Sequence, residues 1–130
     1  ETAKTIRKLH DITKIDNFGI FCEGSRDNTI EYNVCFDCGK GVTIHSTDSG
    51  ATSENFIVRN NLLMDCDATI NVSRYSDSAS TLQNVYIYNN TLIGFDGGVE
   101  NYGLTIGNVS DIEFFNNIVY GDPNFRLANK

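Results

Sequence analysis

The sequence predicts an all-β protein, a parallel β-helix (solenoid) of about four coils that carries a ladder of asparagines. Three observations predict this fold. A motif recurs about every 28 residues, apolar and polar residues alternate within each repeat, and the 130-residue chain holds 16 asparagines, one proline and no tryptophan. This composition is poor in helix formers and rich in residues that tolerate left-handed turns, so it favours many short strands.

The repeat is visible when four asparagines are aligned. Asn33, Asn61, Asn90 and Asn117 lie 28, 29 and 27 residues apart. Apolar positions recur around them: three upstream are Ile30, Val58, Ile87 and Phe114, and two downstream are Cys35, Leu63, Leu92 and Val119. A bend between two strands needs a residue that accepts positive φ, and stacked amides can hydrogen-bond to one another. We therefore predict that the aligned asparagines form both the bends and the ladder.

Each repeat carries about three short strands. One alternating segment recurs at residues 19–22, 41–44, 69–72 and 103–106. Alternation with a period of two buries one face of a strand, and no helical stripe competes with it between residues 19 and 120. A unit this small can bury its apolar face only by stacking on its neighbours, at about 4.8 Å per coil. Residues 19–130 are therefore predicted to form the β-helix.

Residues 1–18 are predicted to lead into the solenoid or to cap it. Ile6 and Leu9 fit one face of a short amphipathic helix, whereas Ile12 and Ile15 fit an irregular incoming coil, and both alternatives stay open. Four coils leave open strand edges at their ends, and such edges need cover. We therefore expect the chain to be part of a longer β-helix or to be capped by a neighbour.

The four cysteines fall into the repeat. Cys22 and Cys35 occupy inward columns, and Cys38 stacks on Cys66 in the next coil. No paired spacing typical of a zinc finger is present. We therefore predict buried free thiols, since buried cysteine behaves as a small hydrophobic residue. If one disulfide forms, the stacked pair is the one whose spacing allows it.

Charge and hydropathy exclude some partners. Ten basic residues stand against 17 acidic ones, a net charge of −7, which would repel a phosphate backbone. No segment approaches the roughly 18 apolar residues that a membrane span requires. We therefore expect neither nucleic acid nor membrane as a partner.

Residues 87–92 (Ile-Tyr-Asn-Asn-Thr-Leu), their counterparts in the other coils and the asparagine ladder resemble the right-handed parallel β-helix repeat proteins of the pectate-lyase-like superfamily. The resemblance covers about residues 19–120. It implies a right-handed coil and an extracellular or periplasmic protein that acts on or binds an acidic polysaccharide, as a lyase would by β-elimination. The alternative is a non-catalytic module for adhesion, display or assembly, because this fold hosts many functions.

The resemblance also implies where a substrate would bind. In the resembled enzymes the groove runs over the strand face that includes residues 41–44 and over its flanking loops, which are longest in the two central coils. The candidate substrate-binding residues are Thr43, Asp48, Asn71, Asp77 and Thr105. The candidate catalytic residues are His45, Arg74 and Tyr75. Together they could supply the cation, base and acid of a β-elimination, but ordinary packing and pairing roles explain the same three residues.

Four aspartates form a candidate metal site. Asp37 and Asp65 occupy equivalent positions four residues after the ladder asparagine, and Asp67 and Asp96 lie nearby in the turns. Carboxylates on coils about 4.8 Å apart repel one another unless they are protonated or bridged by a hard cation. Calcium is therefore the candidate cofactor. The alternative is a solvated acidic face with aspartates that cap turns.

Overall fold

A computed structural model of the chain describes most of the repeat region. The described residues are 18–46, 52–66, 68–74, 80–94, 102–107, 109–121 and 126–129. Within them every regular element is a β-strand, and no helix there is long and apolar enough to cross a membrane. The predicted lead-in lies outside the described residues except for Phe18, so its structure stays a prediction.

Thirteen short strands follow one another along the described chain. Their bounds are β1 (Phe18–Glu23), β2 (Arg26–Glu31), β3 (Val34–Phe36), β4 (Lys40–Ser46), β5 (Thr52–Arg59), β6 (Leu62–Met64), β7 (Ala68–Arg74), β8 (Thr81–Tyr88), β9 (Thr91–Gly94), β10 (Tyr102–Gly107), β11 (Ser110–Phe115), β12 (Ile118–Gly121) and β13 (Arg126–Asn129).

The strands form three parallel sheets in which each strand pairs with the third strand after it. Sheet A has the order β1-β4-β7-β10-β13, sheet B β2-β5-β8-β11, and sheet C β3-β6-β9-β12. Each coil therefore contributes one strand to every sheet, giving four coils, and β13 extends sheet A by one strand. This topology confirms the predicted parallel β-helix. The handedness of the coil stays a prediction.

The core lies between the three sheets and follows the predicted columns. In sheet C, Cys35 pairs with Leu63 and Leu63 with Leu92. In sheet A, Cys22 pairs with Ile44 and Ile44 with Val72. Burying one such aliphatic side chain contributes roughly 1.5–3 kcal/mol. The fully buried large side chains are Phe56, Ile44, Leu63, Ile70, Leu82, Ile87, Leu92, Val42, Val58, Val72 and Val85.

The four aligned asparagines form a hydrogen-bonded column at the turn between sheets B and C. Asn33 donates from its backbone N–H and from Nδ2 to the Oδ1 of Asn61, at 3.0 and 3.1 Å. Asn61 donates in the same way to Asn90, at 3.0 and 2.9 Å. Asn90 donates to Asn117, at 2.9 and 3.0 Å. The column therefore joins all four coils through buried or half-buried amides.

The predicted position of the bend is wrong by one residue. Positive φ falls on the residue before each column asparagine, with φ between 52° and 57° at Tyr32, Asn60, Asn89 and Asn116. This explains why three of the four asparagines are doubled. The first residue of each pair tolerates the left-handed backbone, and the second turns its side chain inward to hydrogen-bond.

A second column of polar residues, which the sequence analysis missed, lies in sheet B. Asp27, Asn55, Asn84 and Asp111 have φ between 54° and 62°. Asn55 Nδ2 donates to Asp27 Oδ1 at 2.8 Å, and Asn84 Nδ2 donates to Asn55 Oδ1 at 3.1 Å. These residues repeat at the same 28, 29 and 27 spacing as the first column, so the sequence contained the signal.

Candidate functional site

Two residues of the predicted substrate-binding row, Thr43 and Asn71, lie on sheet A and are closed to solvent. Thr43 pairs with Asn71, and the Thr105 backbone pairs with Asn71 on the other side. These positions alternate with the inward Val42 and Ile44. Thr43 is nevertheless 1% exposed and Asn71 9% exposed, so the two side chains do not line an open groove. Their role in binding stays a prediction.

His45 is the predicted catalytic residue whose side chain the structure describes. It is half-buried beside Phe21, with ring centroids 6.4 Å apart, and its backbone pairs with Glu23 and Ser73. Burial lowers the pKa of His45, and Lys40 lowers it further, while Glu23 opposes the shift. The ring is therefore neutral near pH 7 and able to accept a proton.

The structure does not describe the side chains of the other predicted residues of this flank, so it shows no contact between them and His45. The backbone of Arg74 pairs with Ser46, one position beyond His45. Its side chain is not described, and the remaining residues lie outside the described ranges; they are Asp48, Tyr75 and Asp77. The catalytic trio therefore stays a prediction.

The aspartates predicted to bind calcium occupy turns. Asp37 and Asp65 have φ of 54° and 52°, and their backbone N–H groups donate to the carbonyls of Met64 and Ile93 at 3.2 and 2.9 Å. Asp67 and Asp96 lie outside the described residues. Among the residues described, no group of three or more histidine, cysteine, aspartate or glutamate side chains could hold a metal ion. This part of the chain therefore does not support a calcium site.

An open face with aromatic and polar side chains lies on the outside of sheet B. We call it the sheet B face. Its two rows, read across the coils, are Thr29, Ile57, Tyr86 and Glu113, and Glu31, Arg59, Tyr88 and Phe115. The sequence analysis did not single it out, although these residues alternate with the inward Val85 and Ile87 and so could have been assigned to the outer face.

The aromatic rings of the sheet B face are ordered by their neighbours. Tyr88 and Phe115 stack with centroids 5.0 Å apart and an interplanar angle of 12°. Arg59 Nη1 donates to the Tyr88 hydroxyl at 3.3 Å, and Arg59 Nε donates to Glu31 at 2.7 Å. Phe115 is 47% exposed and Tyr86 36% exposed. The face thus combines exposed apolar ring surface with fixed donors and acceptors.

The cationic side chains that the structure describes are already engaged. Arg59 pairs with Glu31 as above, and Arg26 Nη1 lies 3.9 Å from Glu54. Lys40 Nζ lies over the Phe18 ring, 5.0 Å from its centroid. In the described part of the chain, these three cations therefore offer little uncompensated positive charge to a polyanion.

A group of thiols lies at the corner between sheets C and A. Cys38 and Cys66 each donate from Sγ to the carbonyl two residues earlier, at 3.4 and 3.3 Å. The pKa of Cys66 is raised from 9.0 to about 12, chiefly by burial; the Cys38 and Cys35 thiols contribute to the rise, while the Cys38 backbone N–H opposes it. The two cysteines occupy equivalent positions on adjacent coils, each two residues after the paired residues Phe36 and Met64.

The fold and these surfaces define the class of the protein: a parallel β-helix whose coils are joined by asparagine hydrogen bonds. The chain belongs to the NosD family, because the family model described as "Periplasmic copper-binding protein (NosD)" matches residues 2–125. The family's periplasmic location confirms the predicted extracellular or periplasmic localisation. No curated protein and no solved structure matches the chain significantly.

The family description raises the question of which described residues suit copper. Thiolate and thioether sulfurs select Cu(I), whereas carboxylates suit harder ions. The described residues bring two soft ligands together at Cys38 and Cys66, with Cys35 within electrostatic reach. The chemistry of this pair fits reduced copper and does not supply the four ligands of a structural zinc site.

Proposed function

We propose that the chain binds a polysaccharide along the sheet B face. Sugar rings present C–H surfaces that pack on aromatic rings, and hydroxyls that both donate and accept hydrogen bonds. The observation that carries the proposal is the ordered stack of Tyr88 and Phe115, with Tyr86 exposed beside it. The resemblance to the pectate-lyase-like superfamily, which includes polysaccharide-active proteins, supports the same conclusion.

The charge of this surface favours a neutral glycan. A net charge of −7 and the pairing of Arg26 and Arg59 with glutamates both disfavour a polyanion. The acidic polysaccharide of the sequence analysis therefore becomes the competing ligand. Cleavage of that polysaccharide by β-elimination through His45, Arg74 and Tyr75 can be tested in the same experiment.

The test is native gel retardation in a panel of soluble glycans. Neutral xylan, mixed-linkage glucan and galactomannan are compared with pectate and alginate, with and without calcium, and absorbance of unsaturated products reports any lyase activity. We expect retardation by at least one neutral glycan and none by the acidic ones. The Phe115→Ala and Tyr86→Ala variants should lose most of it.

Tyr120→Ala is the matched control, because Tyr120 is an aromatic residue 65% exposed on sheet C. Its retardation should equal that of the wild type. Equal losses in all three variants, or no retardation by any glycan, would reject the sheet B face as the binding site. Unsaturated product with pectate or alginate would favour the lyase instead.

A second function, copper binding, is proposed from the family description and one specific observation. Cys38 and Cys66 follow the paired residues Phe36 and Met64 by two positions each, which places two soft ligands at equivalent positions on adjacent coils. Equilibrium dialysis of the reduced chain against Cu(I), held in solution by a competing chelator, tests it directly. Retention of copper by the chain supports this function, and no retention rejects it.

A further inference from the structure

We propose that Cys38 and Cys66 form a two-thiolate site for Cu(I) at the corner between sheets C and A. The inference rests on the proposed copper binding and assigns its residues. It starts from the backbone. Phe36 pairs with Met64 just before the two cysteines, and the Ala68 N–H donates to the Gly39 carbonyl at 3.0 Å just after them. The pair is therefore held at the strand spacing of about 4.8 Å.

The side chains at the site adopt matching arrangements. Each thiol donates to the carbonyl two residues earlier, Cys38 to Phe36 and Cys66 to Met64. Both sulfurs therefore have the same orientation relative to their turns. Cys66 is 3% exposed, whereas Cys38 is half-buried. The buried sulfur would shield the ion from water, and the more open one would admit it.

Glycine at position 41 allows a close approach of two strands beside the buried sulfur. A Cβ on Gly41 would lie 2.5 Å from the Thr69 carbonyl oxygen and at an ordinary contact distance of 3.4 Å from Cys66 Sγ. A side chain at this position would therefore displace the backbone of the neighbouring strand next to the site. Gly19 stands in the same way beside Cys35, where a Cβ would lie 2.8 Å from Sγ.

The two sulfur ligands favour an ion that is soft and that accepts a low coordination number. Two thiolates, with no third ligand assigned among the residues that the structure describes, suit Cu(I), while zinc requires four ligands and calcium six or more oxygens. Binding replaces two S–H bonds by two Cu–S bonds and releases two protons to solvent, leaving a site with one net negative charge.

The test is an anaerobic titration of the reduced chain with Cu(I) against a chromogenic competing chelator. We expect one Cu(I) per chain, thiolate-to-copper charge-transfer absorption in the near ultraviolet, and release of about two protons per ion. Cys38→Ser and Cys66→Ser should weaken binding by more than the roughly 10- to 100-fold that loss of an outer-shell partner costs. Cys22→Ser is the control, because Cys22 lies in another column, and it should bind as the wild type does.

A second measurement needs no variant. Bound Cu(I) should protect Cys38 and Cys66, but not Cys22, from alkylation as read by mass spectrometry after brief partial unfolding. Wild-type binding that survives in Cys38→Ser and Cys66→Ser would overturn this site while leaving copper binding intact. A reduced wild-type chain that takes up no Cu(I) would overturn both. Loss in Cys35→Ser equal to that in Cys66→Ser would replace the two-thiolate site by a three-thiolate one.

Discussion

The side-chain oxygen of Asn61 accepts two hydrogen bonds from Asn33, one from the backbone N–H and one from Nδ2, across 28 residues of sequence. Asn61 in turn donates from Nδ2 to Asn90 and to the Ile30 carbonyl, at 2.9 Å each. Because Asn61 is 3% exposed, water cannot replace these partners. One side chain therefore ties three successive coils together.

Asn61→Ala should lower the free energy of unfolding by about 3 kcal/mol, since unpaired buried groups cost roughly 1–3 kcal/mol each. Asn60→Ala should cost only about 1 kcal/mol, because alanine tolerates φ of 55° poorly. Glycine separates the two causes: Asn60→Gly should be near neutral, and Asn61→Gly should be as unstable as Asn61→Ala. Urea denaturation midpoints measure all four, and rescue of position 61 by glycine would contradict the assignment.

Thr43→Val should stabilise the protein. The Thr43 Oγ1 is buried with no hydrogen-bond partner among the described residues, and an unpaired buried hydroxyl costs about 1 kcal/mol or more. Valine has nearly the same shape without that cost, so thermal unfolding should shift upward. Thr29→Val is the control, since an exposed threonine should change stability by less than about 0.5 kcal/mol. A lower transition temperature for Thr43→Val would mean that the hydroxyl has a partner.

Gly41→Ala should destabilise the protein by about 1–3 kcal/mol, the usual cost of overpacking. Its Cβ would stand 2.5 Å from the Thr69 carbonyl oxygen, which is backbone of the paired strand and cannot swing aside. Gly121→Ala, at an exposed position in β12, serves as the control and should change little. Equal unfolding midpoints for the two variants would show that the β4–β7 contact is looser than described.

The stability of the reduced, copper-free protein should fall at alkaline pH. Since the pKa of Cys66 is raised from 9.0 to about 12 in the folded chain, the unfolded chain releases this proton first as pH rises. The contribution of the protonated Cys66 thiol to the stability of the fold is therefore full below about pH 9 and is lost between pH 9 and 12. Cys66→Ala should show a shallower decline over that range. Parallel profiles of stability against pH for the two proteins would refute the shift.

The columns of the fold could be predicted because stacking forces equivalent residues onto one line. Spacing alone placed Cys35 on Leu63 and Cys22 on Ile44. It could not place the bend at Asn60 and not at Asn61, because both residues of the doubled pair tolerate positive φ. The burial of Thr43 could not be predicted either, since alternation shows which face of the strand a residue occupies but not what covers that face.

The sheet B face could have been predicted from the sequence, but the sequence analysis missed it. Tyr86, Tyr88 and Phe115 occupy alternate positions to the inward column, so their exposure follows from the register. The longest loops of the sequence flank sheet A instead, where the candidates Asp48, Tyr75 and Asp77 lie outside the described residues. The position of Cys38 beside Cys66 followed from the period, whereas the raised pKa of Cys66 depends on burial, which only the structure shows.

The asparagine column also determines where the chain tolerates added sequence. The step from the inner column of sheet B to that of sheet C is five residues in every coil, from Ile30 to Cys35 as from Phe114 to Val119. By contrast, the step from the inner column of sheet A to that of sheet B is eight residues from Cys22 to Ile30 and fourteen from Ile44 to Val58. A foreign peptide grafted into a turn between sheets A and B should leave the coils intact. Even a one-residue insertion into a turn between sheets B and C would misalign every coil that follows it.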